Sequence, residues 1–247
     1  MIKQLLLIIF TTLCCTNNLI SYDYTNKDLD QSLLQLIYMI NSNQESALNL
    51  QNKVDQISLH WKSELEEIKL VRDINKDAQK SFAETVDFKM KKLFENMRNN
   101  QLHPVQKIAK EVLYEFKNAR FLNQITNYPL DDLLSMAEAY EDIEITVYDQ
   151  MFDLQCWFEF EDMINSYIES WERYKAYKIQ YIKSYFTHID PVKHQLLKDE
   201  ISECTLAFTD ALVSGYQTDF QLPCDELGQS INKLLIHYSD FTQNHQN

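Results

Sequence analysis

Between Phe121 and Glu172 stand thirteen acidic side chains and not one lysine or arginine, so this stretch carries −13 of the chain's formal −14 charge. Glu138, Glu141, Asp142, Glu144 and Asp149 are spaced closely enough to invite a carboxylate metal site. Di-metal sites in helical bundles draw a Glu-x-x-His pair from each of two helices. None of the six histidines has a glutamate three residues before it. A calcium loop needs a glycine at its sharp turn, and none falls inside the acidic run. His188 and His194 flank a turn with no cysteine or third histidine close in sequence to join them. The pattern predicts neither metal nor cofactor, and the acids read as a face that meets water or a basic partner.

Catalysis meets the same obstacle. Nucleophile elbows, phosphate loops and dinucleotide fingerprints all require glycines, and the chain has only Gly215 and Gly228. No catalytic residue is assigned, and the expectation is a protein that is not an enzyme.

Three cysteines, Cys156, Cys204 and Cys224, follow Cys14 and Cys15 of the N-terminal leader. An odd count in an oxidising compartment leaves one thiol over. Measured from the turn near Asp190, Cys156 lies roughly 50 Å down one helix and Cys204 roughly 20 Å down the next. Those two cannot meet unless the longer helix breaks. The favoured disulfide is Cys204 with Cys224, and Cys156 is the alternative partner of Cys224. An aromatic stripe supplies the candidate for binding: Met163, Tyr167, Trp171 and Tyr174 would line a pocket for a lipid or other apolar ligand. The competing reading is a packed core.

These residues need elements to position them, and the elements are helices. Two glycines and four prolines in 247 residues leave few places for the positive-φ turns that join strands. The fold class is therefore all-α, an elongated bundle of amphipathic helices with a long coiled-coil-like hairpin and no sheet. Lys3 and the apolar run Leu5–Phe10 predict a secretory signal peptide, residues 1–16, cleaved within 14–20. Residues 17–247 form one helical domain, with 25–127 and 128–247 as its natural subdivision.

Leu29, Leu33, Leu36, Ile37 and Ile40 mark a first helix, with Asp28 and Asp30 complementing its dipole. From Leu50 to Phe82 apolar residues recur at steps of three and four, with Asn75 the one polar interruption; unbroken, residues 43–101 would span about 90 Å. Pro104 ends that helix, and residues 104–127 form a shorter one. From Lys89 to Arg120 there are eight basic and three acidic residues, which predicts a hairpin of basic face on acidic face. Phe121–Glu172 reads as one long helical region whose two apolar stripes, out of phase by two residues, imply a kink near 150–159 or a wide apolar face. Asp190-Pro191 caps the next helix, Gly215 stops it, Tyr216–Pro223 is extended, and a last helix covers Asp225–Phe241.

The acidic balance excludes nucleic acid, which requires a basic face. No apolar stretch reaches the roughly 20 residues of a membrane span, so no stable membrane insertion is expected. The functional expectation is an acidic protein secreted to the extracellular space. It would act by protein–protein interaction or self-association, or alternatively as a carrier of a lipid or other apolar small molecule in the bundle core.

Overall fold

Among the described residues the regular structure consists of nine helices, with no strand. The computed structural model describes residues 24–42, 45–70, 76–149 and 154–240. The signal peptide, Val71 and Asn75 of the heptad seam, and the tail from Phe241 lie outside them. In chain order the helices are α1 (Lys27–Ser42), α2 (Ala47–Leu70), α3 (Lys76–Arg98), α4 (Leu102–Leu122), α5 (Pro129–Val147), α6 (Leu154–Lys175), α7 (Ile179–Tyr185), α8 (Pro191–Leu212) and α9 (Gln217–Ser239). None of them is long and apolar enough to cross a membrane.

The first four helices run alternately up and down and close into a ring. α1 packs on α2, α2 on α3, α3 on α4, and α4 returns to α1. A second ring uses α5, α6, α8 and α9, in which α5 packs on α6, α8 on α9, and α9 on α5. There α6 meets α8 through the Tyr167 and Thr205 hydroxyls, 2.8 Å apart, and through Lys198 Nζ donating to the Lys175 carbonyl at 2.7 Å. The rings join where α1 packs on α9. Ten of the sixteen residues of α1 are buried, so α1 is a central helix rather than a surface helix with one apolar stripe.

The two long rods expected from the sequence are both folded back. Within 43–101 the described residues form two helices, α2 and α3, and Trp61 Nε1 donates to Asp87 Oδ1 at 3.3 Å across the antiparallel pair. Each is about 36 Å long at 1.5 Å per residue, and each buries the other's half of the heptad seam. Val54, Ile57 and Trp61 sit on one side, with Val86, Met90 and Leu93 on the other. The acidic region likewise reverses after Tyr148, so its two out-of-phase stripes belong to two helices packed face to face, α5 and α6. The sequence between these paired helices, residues 71–75 and 150–153, contains neither glycine nor proline. Elsewhere the left-handed turn positions are taken by Asn100, Gln124 and Asp240 as well as Gly215. The segment expected to be extended before Pro223 is helical, and Pro223 lies inside α9. Proline's fixed φ suits a helix, and the cost is the missing N–H toward the carbonyl of Asp219.

Other signals are realised where the sequence places them. The Asp190 carboxylate accepts from the Lys193 backbone N–H at 2.7 Å, with Pro191 in the first turn. Basic α4 faces acidic α5 through Lys110 with Glu141 and Lys117 with Glu138.

One contact ties the rings together. Arg120, at the end of α4, is fully buried. Its Nε and Nη2 donate to Asp131 of α5, and Nη1 donates to Asp30 of α1 and to the Tyr24 carbonyl. Its guanidinium lies 4.4 Å from the centre of the Tyr128 ring, whose hydroxyl donates to Asp30 at 2.9 Å. Removing one partner of a buried ion pair costs about 3–5 kcal/mol, because the remaining charges stay buried. Arg120→Met should lower unfolding free energy in urea by that amount. Asp30→Asn removes a buried carboxylate whose Oδ1 has no partner and leaves Arg120 paired with Asp131, so it should cost less than Arg120→Met; equal losses in the two variants would contradict this assignment.

Candidate functional site

The aromatic stripe is packing. Tyr167, Trp171 and Tyr174 are buried, and Met163 is half-buried. Trp171 stacks on Tyr174 with ring centres 6.0 Å apart, and the Tyr174 hydroxyl donates to Tyr238 at 3.0 Å. The Tyr167 hydroxyl is engaged by Thr205. These side chains fill the space among α6, α8 and α9 in place of the pocket expected there.

The cavity lies elsewhere. Where the two rings meet, α1, α4, α5 and α9 leave a space of about 400 Å³. Its buried floor is apolar: Leu34 and Ile37 from α1, Leu113 from α4, Leu134 from α5, and Ile231 and Leu235 from α9. Its wall carries three tyrosines, Tyr38, Tyr114 and Tyr140, and its mouth three carboxylates, Glu141, Glu144 and Asp225, with one lysine, Lys110. Tyr140 fixes one end by donating to the Cys224 carbonyl at 3.0 Å. Its ring presses so closely on Gly228 that any side chain there would collide with it. This is the close approach that makes glycine necessary in α9.

Of the five carboxylates weighed as metal ligands and read instead as a solvated face, Glu138 and Glu141 are bound to lysines, and only Glu141 and Glu144 reach the cleft. Among the described residues no group of three ligating side chains is gathered. His188 and His194 do not converge. His188 Nε2 meets the Tyr238 carbonyl at 3.1 Å, while His194 Nε2 lies 3.4 Å from the Tyr174 hydroxyl.

Cys204 and Cys224 are both free thiols, in place of the expected bridge. Cys204 Sγ lies 3.5 Å from Ser230 Oγ. Ser230 stands about 9 Å along α9 from Cys224, so the Cys204 thiol sits beside a different turn of α9. Burial pushes the Cys224 thiol up to about 11, so it is protonated and unreactive at neutral pH. The side chain of Cys156 lies outside the described residues.

No known protein family, curated protein or solved structure matches the chain.

Two buried groups give the fold opposing pH responses. Burial, reinforced by Lys198 and His237, lowers His194 from 6.5 to about 4. Burial also raises Asp30 from 3.8 to about 6, against the pull of Arg120. From pH 6.5 down to 4 the unfolded chain takes up a proton at His194 that the folded chain does not, so stability falls with pH. At Asp30 the folded chain protonates first, so from about pH 6 to 3.8 stability rises as pH falls. Each slope is at most about 1.4 kcal/mol per pH unit. In urea midpoints taken from pH 7 to 4, His194→Gln should flatten the acid loss and Asp30→Asn should steepen it. Curves parallel to wild type for both variants would overturn both readings.

Proposed function

We propose that the chain is an exported, non-enzymatic binding protein that holds a ligand with an apolar body in the α1/α4/α5/α9 cleft. The observation that carries this reading is the cavity, whose size lies within the roughly 300–1,000 Å³ typical of small-molecule sites. Its apolar floor and polar mouth match the usual division between burial of the ligand body and orientation of its head. The carrier role inferred for the aromatic stripe thus moves to the junction of the rings.

The test is a titration of delipidated protein with the neutral dye Nile red. The expected outcome is saturable binding near one site per chain, weakened at least about tenfold by Ala137→Phe, which fills the cavity wall. Non-saturable binding, or full binding by Ala137→Phe, would contradict the proposal.

A second reading, self-association through helix faces, has its own support. Val192, Leu196 and Leu206 of α8, and Val213 capping its end, are 71%, 63%, 63% and 87% exposed, and at 3.6 residues per turn the three helical ones fall within about 80° of arc. Sedimentation should show mass rising with concentration for wild type and a monomer for Leu196→Glu. A wild-type monomer at every concentration would remove this reading.

A further inference from the structure

We propose that the head group taken at the mouth of the cleft is an organic cation, an amine or quaternary ammonium on an apolar body. This rests on the cleft reading above and adds the chemistry of recognition.

The charges at the mouth do not cancel. Glu141, Glu144 and Asp225 face a single cation, Lys110, and Lys110 Nζ is held by Glu141 Oε1 at 2.5 Å. A ligand carboxylate would have to displace that pair and then sit against two further acids. The Glu144 side chain has no ion-pair partner among the described residues. Asp225 receives the Tyr148 hydroxyl at 2.7 Å, a neutral donor that leaves its charge in place. Burial chiefly raises the Tyr140 hydroxyl and the Cys224 thiol, Cys224 adds to the rise at Tyr140, and Glu144 and Asp225 each add a smaller share at both groups, so the two acids act on one spot.

The aromatic wall points the same way. A tyrosine ring presents a negative π-face, and rings gathered around an apolar space are the usual host for ammonium groups. Tyr38, Tyr114 and Tyr140 supply three such rings within one cavity. Burial raises all three hydroxyls well above 10, so the rings stay neutral at physiological pH. Elsewhere the fold places Arg120 over the Tyr128 ring at 4.4 Å, and of the cavity rings Tyr114 already carries Lys117 at 5.3 Å, which leaves Tyr38 and Tyr140 without a protein cation over them among the described residues. The floor of leucine and isoleucine would then take the alkyl or aryl remainder.

Calorimetry with octylamine, octanol and octanoate at one ionic strength holds the body constant and varies the head. The expected order is octylamine tightest, by about tenfold over octanol (about 1.4 kcal/mol), with octanoate weakest. Glu144→Gln and Asp225→Asn should each narrow the amine-to-octanol ratio, and Glu203→Gln, on the exposed face of α8, should leave it unchanged. If octanol or octanoate binds at least as tightly as octylamine, the cation inference fails while the cleft stands. If the ratio survives both cleft substitutions, or falls equally with Glu203→Gln, the amine is answering the general acidity of the surface and the inference also fails. Absence of binding by all three probes would sink the cleft reading itself.

Discussion

A guanidinium with no access to water must spend its N–H groups on protein acceptors, and Arg120 spends them on three separate parts of the chain. Its Nη1 holds the segment before α1 and Asp30 within it, while Nε and Nη2 hold Asp131 at the start of α5. Burying such a cluster adds little net stability, because desolvation offsets most of the attraction. Its effect is geometric: α1 can enter the bundle only at the depth and rotation that bring Asp30 to Arg120. A shift of α1 by one turn would strand a buried charge. The apolar residues of α1 that face α2, α4 and α9 are thereby presented in one register.

The cleft follows from that placement. Two four-helix rings share a seam along α1 and α9, and α4 faces α5 mainly through charged pairs. Ion pairs between long side chains hold helices apart more than ridges packed into grooves do. Tyr140 over Gly228 draws α5 onto α9 at one point. Beside that pinch, α1, α4, α5 and α9 leave an apolar floor under a polar rim. The acidity of α5, which in the sequence looked like a solvated face, becomes the rim of a cavity at Glu141 and Glu144.

Helix content and several helix ends were legible because they depend on local chemistry. Asp190-Pro191 and Gly215 act through neighbours within four residues, and the structure uses both. The reversal between α2 and α3 was not legible, because scarcity of glycine and proline was read as scarcity of turns, whereas the one between α5 and α6 left its mark in the out-of-phase stripes. At turns that the sequence did mark, near Pro104 and before Pro129, Asn100 and Gln124 adopt the left-handed conformation without glycine, which a polar side chain tolerates at modest cost. The centrality of α1 did have a signal: Leu34, Tyr38 and Met39 extend its apolar surface beyond one stripe, the pattern of a helix covered on several sides. Arg120 and Asp30 had none, since ninety residues separate them and each looks like an ordinary helix-end charge. The cavity was invisible for the same reason. Its lining comes from four helices, and the aromatic stripe that drew attention is interior packing.

The central claim is that the seam at α1, α9 and Arg120 makes the two rings one cooperative body. Native-state amide hydrogen exchange, followed residue by residue in rising urea, tests it most directly. The slowest amides of α1 and α4 should share a single opening free energy with those of α5 and α9 and fall together as urea increases. Two separate opening free energies, one for α1–α4 and another for α5–α9, would show that the rings unfold independently and would contradict the account.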